Sequence, residues 1–178
     1  MNTIAAGKPR REDLLADLST AQEWLDDALS DWAMAAGEAP FNVTLDQDDL
    51  DRLRDFRDDL RHAAAATDEG TQDSGGVNPA TLPVVSVSMQ WDDSGRVQPA
   101  PRGSGWRKVA SLTAIEVLKA QLDGSWGRIK TCRNPRCAVA FFDRSRNNSG
   151  VWHSVKVCGN AVNLRAYRAR RRTSSASA

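Results

Sequence analysis

Lys130–Arg172 reads KTCRNPRCAVAFFDRSRNNSGVWHSVKVCGNAVNLRAYRARRR. All three cysteines of the chain, Cys132, Cys137 and Cys158, lie within it, together with His153, one of only two histidines. The spacing is Cys-x4-Cys-x15-His-x4-Cys. Zinc takes four soft or borderline ligands in a tetrahedron, and three cysteines with one histidine is a standard structural set. Each close pair must turn the chain so that both side chains face one ion. Asn134-Pro135 favours such a turn in the first pair. In the second, Gly159 directly after Cys158 offers a residue able to take positive φ. Cysteine is also commonly buried as a simple hydrophobe, but these three sit among Arg, Asn, Pro and Lys. The pattern points to one structural Zn2+ held by Cys132, Cys137, His153 and Cys158, with an iron–sulfur site or metal-free thiols as the alternatives. Four protein ligands argue against zinc catalysis, which needs an open position.

Four ligands on one ion let roughly 30 residues fold with almost no core of their own. Phe141, Phe142, Val151, Trp152 and Val155 supply a small apolar patch beside the metal. RIKTC and VAFFD read as strands and RSRNNSG as the loop between ligand pairs. After Asn160 the pattern is helical. Val162, Ala166 and Ala169 are expected to face the metal, and Arg165, Arg168 and Arg172 to share the opposite face. With Arg170 and Arg171 they form a cationic surface for a phosphate backbone or a groove. Arg can also read guanine bidentately. Tyr167 donates to a phosphate or packs.

The net charge of +1 hides an asymmetry. Residues 128–172 carry 12 Lys and Arg against one acid, Asp143, while residues 1–127 carry 12 Lys and Arg against 22 acids. A basic end behind an acidic body is expected to meet polyanions. A solvated cationic tail, or a tail masked by the acidic body, is the bland alternative. An odd cysteine count argues against a disulfide framework and for a reducing compartment. No apolar run approaches the ~20 residues of a membrane helix, and MNTIAAGKPRRED lacks the apolar core of a signal peptide. The expectation is a cytoplasmic protein.

The rest of the chain reads as α+β. A helix is expected over Arg11 to about Ala36, with Leu14, Leu18, Ala21, Leu25, Ala28 and Trp32 as its apolar stripe. Gly37 and Pro40 end it. A second is expected over Asp46 to about Ala66, burying Leu50, Leu53, Phe56, Leu60 and Ala64. Thr67–Ala80 is polar and Gly-rich, hence a loop. Val85, Val87, Met89 and Trp91 alternate with Ser86, Ser88 and Gln90, which predicts a strand with one face covered. DDSG turns the chain into a short return strand that Pro99 and Pro101 confine to an edge. A third helix is expected over about Trp106 to Leu122, with Val109, Leu112, Ile115 (or Glu116), Leu118 and Leu122 inward. No Gly-rich phosphate loop, internal repeat or converging set of carboxylates is present in the sequence, so an enzyme is not expected.

The C-terminal residues resemble the CGNR-type zinc finger, a small bacterial module. Its pattern is a Cys-x4-Cys pair, then F-x-D-x-S, W-C-S and C-G-N-R with a basic helix. Here these pieces are Cys132 and Cys137; Phe142, Asp143 and Ser145; Trp152 to Ser154; and Cys158 to Asn160. The match covers about Arg128 to Arg172. The resemblance implies that a preceding helical-plus-hairpin body is similar to the ABATE domain of stress-induced transcriptional regulators. It divides the chain into an ABATE-like domain at 1–127, the zinc finger module at 128–172 and a disordered tail at 173–178. Three departures stand out. His153 replaces the third cysteine, a swap that zinc tolerates. Ala161 replaces the Arg of C-G-N-R, and Asn163 a following basic residue. An apolar LDFVNT-like segment opens the family's body, whereas this chain opens MNT, which implies a true start upstream of Met1.

These readings converge on a DNA-binding transcriptional regulator. The zinc module would contact DNA, and the body would form a homodimer or sense a signal such as a small-molecule effector. The alternative is a zinc-stabilised module that binds protein or RNA, which the loss of basic character at Ala161 and Asn163 favours.

Overall fold

Three helices of the N-terminal region build the main core, and each starts where a polar side chain satisfies the first free backbone N–H groups. The computed structural model describes residues 1–7, 9–68 and 83–176, of which 65–68 and 172–176 by their backbone. Helix α1 spans Leu18–Ala36 and is capped by Asp17, whose carboxylate accepts from Thr20 N. Helix α2 spans Gln47–Asp68. Asp46 and Asp49 cap it reciprocally, each carboxylate accepting from the other's backbone N–H at 2.8 and 3.2 Å. Helix α3 spans Gly105–Leu122. Its start is held by Asp49, which accepts from Trp106 N at 2.9 Å. Gly105 has φ +51° and the Asp49 carboxylate lies where a Cβ would go, so only glycine fits there.

Leu25, Leu29, Leu50, Leu53 and Leu112 meet in this core, with Leu15 and Val43 from the connecting segments. The expected buried face of α2 is seen at Leu50, Leu53, Phe56 and Ala64. Two expectations are corrected. α1 begins at Leu18 and not at Arg11, because Asp17 caps it and the preceding residues pair elsewhere. Leu14 N donates to Thr3 O at 2.7 Å, and Asp13 binds Arg57 of α2 at 2.8 Å. On α3, Leu118 and Leu122 stand in solvent at 51 % and 80 % exposure, while the small residues Ala110 and Ser111 are buried in their place.

Strands β1 (Val87–Trp91) and β2 (Val97–Pro101) form an antiparallel hairpin. Val87 pairs with Pro101, Met89 with Pro99 and Trp91 with Val97, so these six side chains share one face. That face was expected to be covered, yet Met89 is 65 % and Trp91 76 % exposed. The open end of the hairpin is tied to α3. Buried Ser111 of α3 donates to Ser86 O at 2.6 Å and accepts from Arg102 N at 3.0 Å, leaving the tip to project past the helices. The expected loop at Thr67–Ala80 begins inside α2, and its remainder from 69 onward lies outside the described residues.

A short 3-10 turn, Trp126–Arg128, leads into β3 (Ile129–Thr131), which pairs antiparallel with β4 (Ala140–Phe142). A one-turn π-helix at Val155–Gly159 then passes directly into α4, Asn160–Ala176. The chain is thus α+β: helices and a hairpin, followed by a small two-stranded unit and a terminal helix. The N-terminal residues tie the two parts together. Asn2 exchanges two 2.8 Å hydrogen bonds with the backbone of Ala140, in the manner of a neighbouring strand. Arg61 of α2 donates to Met1 O at 3.0 Å and to Ala138 O at 2.8 Å. Among the described residues no helix is long and apolar enough to cross a membrane.

Candidate metal centre and the helix it carries

β3 delivers Cys132, and the turn that follows brings Cys137 back toward it. Asn134 organises this turn: its carbonyl accepts from Cys137 N at 2.8 Å and from Ala138 N at 3.3 Å. Ala138 takes a φ of +55°, which reverses the chain into β4. Cys132 N donates to Val139 O at 2.9 Å and closes the knuckle. The second ligand pair uses a different device. The Ser154 hydroxyl accepts from Val157 N, and its carbonyl from Cys158 N at 2.8 Å, so Cys158 sits in the wide turn that opens α4.

The four expected ligand atoms lie within 4.8 Å of one another. Cys132, Cys137 and Cys158 are buried at 3 %, 2 % and 0 % exposure. His153 approaches through Nδ1, 3.3 Å from Cys137 Sγ and 3.6 Å from Cys158 Sγ. In a zinc tetrahedron with Zn–S near 2.3 Å and Zn–N near 2.05 Å, the N···S separation is about 3.6 Å. Apolar side chains of Val139, Phe141 and Trp152 pack around the sulfurs. Burial, with the neighbouring Cys158 and Cys132 thiols, pushes the Cys137 thiol up to about 11 despite a hydrogen bond with the Val139 backbone. A divalent cation reverses that balance, because it binds the thiolates directly. The donor set, its burial and its spacing all fit one zinc ion.

Gly159 plays a part other than the one expected. It does not adopt positive φ. Its missing side chain leaves room for the Trp152 indole, which would lie 3.1 Å from a Cβ. Sequence reasoning also missed the role of Asp143. It is 3 % exposed and accepts from Lys130 Nζ at 3.0 Å, Ser145 N at 2.9 Å and Gly150 N at 2.7 Å. Lys130 also donates to Asn148 O at 2.6 Å. Burial alone would raise the Asp143 carboxyl. Hydrogen bonds from Ser145, Lys130 and Gly150 outweigh it and hold the group well below the usual carboxylate range. This buried pair folds the Arg-rich loop back on β3. The F-x-D-x-S spacing was the available signal for it.

The arginines named from sequence are not equivalent. Arg165 is half-buried and donates from Nη2 to Asn134 Oδ1 at 2.9 Å. It therefore faces the metal knuckle and is not on the outer face expected of it. The reason is helical spacing: Arg165 stands one turn beyond Ala161, and on the same side as Cys158 and Val162. Ala166 and Ala169, expected to face the metal, are exposed instead. Arg168, Arg170 and Arg171 are exposed, and Arg171 lies 5.9 Å from the centre of the Tyr167 ring. The side chain of Arg172 lies outside the described residues. Arg133 and Arg136, which flank Asn134 in the knuckle, are exposed beside this helix and were absent from the sequence-derived set.

No curated protein matches the chain. Residues 128–171 match the model of the family described as CGNR zinc finger, so this segment is a CGNR-type zinc finger built to hold one zinc ion on Cys132, Cys137, His153 and Cys158.

Proposed function

We propose that the protein is a cytoplasmic, DNA-binding transcriptional regulator of the bacterial stress-response kind, whose zinc finger orients α4 against the phosphate backbone. The observation that carries this reading is the join between Cys158 and α4. The ligand lies in the turn that opens the helix, so the metal fixes the direction in which Arg168, Arg170 and Arg171 are presented. Arg133 and Arg136 extend the cationic surface onto the knuckle. Zinc here is structural, and the reading assigns no catalytic step. The N-terminal region, ABATE-like by its order of helices and hairpin, supplies sensing and self-association. The exposed Met89, Trp91 and Val97 of the hairpin favour a second copy of the chain as its partner.

A second reading is binding to a protein or RNA. It is favoured by the apolar exposure of Val155 in the π-helix and of Leu164 and Tyr167 on α4, at 67 %, 47 % and 50 %. Sequencing of genomic DNA fragments retained by the zinc-loaded protein, with and without a chelator, separates the two. The DNA reading requires enrichment that the chelator abolishes. Absence of any retained DNA at low salt sinks it.

A further inference from the structure

Strand β1 keeps an open edge. Hydrogen bonding along an antiparallel pair alternates, so its parity follows from either end of the hairpin. At the turn, Asp92 N donates to Arg96 O at 2.9 Å. At the open end, the Ser111 hydroxyl bridges Ser86 O and Arg102 N. Residues Ser86, Ser88, Gln90 and Asp92 therefore turn their backbone groups inward, toward β2. Val87, Met89 and Trp91 turn theirs outward. Among the described residues this sheet holds β1 and β2 alone, so the outward N–H and C=O groups of β1 meet no third strand. α3 packs along β2, which makes β1 the outer strand.

The two edges differ in what they can pair with. On β2 the outward positions are Val97, Pro99 and Pro101. Proline has no N–H, so that edge cannot carry a ladder. β1, Val-Ser-Met-Gln-Trp, has neither proline nor charge, the usual guards of a free edge. Met89 and Trp91 stand exposed on it.

An unguarded strand edge takes another strand, and its side chains select which one. Antiparallel pairing of β1 with a second β1, about a twofold axis at Met89, sets Met89 against Met89, Val87 against Trp91 and Ser88 against Gln90. Apolar side chains meet on one face and polar ones on the other. Asp92 and Asp93 fall opposite Ser86 and Val85, so no like charges face each other. The joined sheet runs β2-β1-β1-β2 and ends on a proline edge at both sides. That closes the assembly at two copies.

We propose that β1 is the dimer interface of this chain, pairing edge to edge with β1 of a second copy across a twofold axis at Met89. This deepens the self-association assigned above to the N-terminal region.

Sedimentation equilibrium of the zinc-loaded full chain, without nucleic acid, reads the oligomeric state. The wild type is expected to dimerise reversibly. Met89→Lys and Met89→Glu each bring like charges together on the axis and should weaken dimerisation by about tenfold or more. An equimolar mixture of the two should restore it as a heterodimer. Met89→Pro removes an outward N–H, keeps the inward ladder to β2 and should leave the chain monomeric at unchanged zinc content. The charge pair keeps the test decisive should Met89→Pro not fold. Three results overturn the proposal: a wild type that stays monomeric across the concentrations amide NMR uses, a dimer that the Met89 charges do not weaken, or weakened single variants that the mixture does not restore. The first also removes the self-association reading, whereas the other two leave it standing on a different surface.

Discussion

Arg165 on α4 donates from Nη2 to Asn134 Oδ1 in the Cys132–Cys137 knuckle at 2.9 Å, and Asn134 is only 1 % exposed. One hydrogen bond thus locks the basic helix to the turn between the first two metal ligands. Arg165→Ala removes this bond and leaves the buried Asn134 oxygen only the 3.3 Å bond from Arg136 N, a loss of about 1 kcal/mol. The expected outcome is faster amide exchange over α4 and the knuckle, with the zinc ligands unchanged. Since Arg165 is turned inward, this variant should leave the salt dependence of DNA binding almost unaltered, whereas Arg168→Ala should reduce it.

His153 is expected to bind through Nδ1. His153→Cys restores a four-thiolate set and should retain one zinc per chain; His153→Ala should lose it under mild chelation. Structural zinc contributes about 10–16 kcal/mol in zinc-finger peptides, so removal should unfold residues 128–171 and leave the helical core standing. Metal content with circular dichroism measures both effects. Unchanged zinc affinity in His153→Ala would remove His153 from the ligand set.

Gly159→Ala places a methyl 3.1 Å from the Trp152 indole beside Cys158. Overpacking of this kind costs about 1–3 kcal/mol. The predicted result is weaker zinc binding at normal stoichiometry, accompanied by a shift in Trp152 side-chain resonances. Gly127→Ala meets no atom within 4 Å and serves as the control.

Asp92 sets the pH dependence of the hairpin turn. The Ser94 hydroxyl and the Arg96 N–H, joined by Gln98 and the Ser94 N–H, outweigh burial and lower its pKa from 3.8 to about 2. A depressed carboxyl stabilises the fold fully above its unfolded pKa. That contribution fades as pH falls from about 4 toward the folded value. NMR titration of the Asp92 carboxyl carbon should show a midpoint near 2, and Asp92→Asn should flatten hairpin amide shifts across that window. A midpoint at the ordinary value would refute these contacts.

The metal ligands and the buried face of α2 are legible in the sequence because both depend on local spacing. The start of α1 is not. Arg11 to Asp17 fit a helical pattern, but Leu14 pairs with Thr3 and Asp13 with Arg57 through contacts distant in sequence. Alternation along Val87, Met89 and Trp91 marks a shared apolar face but not what meets it, and among the described residues Met89 and Trp91 stay largely exposed. Helical period alone also misplaced Arg165, because its partner Asn134 lies in another turn of the fold. Asp143 was visible as a motif position, yet its pairing with Lys130 is created only when β3 and β4 align.

The central claim is that a zinc-oriented α4 meets a phosphate backbone, and its most direct test is the salt dependence of binding to duplex DNA by the zinc-loaded full chain. With Arg165 turned inward and about four arginines of α4 left to contact phosphates, log K should fall with log[salt] at a slope of about −4. Chelation should abolish the binding, and Arg168→Ala, Arg170→Ala and Arg171→Ala should each flatten the slope by about one. A slope near zero, or binding that survives removal of zinc, contradicts the account.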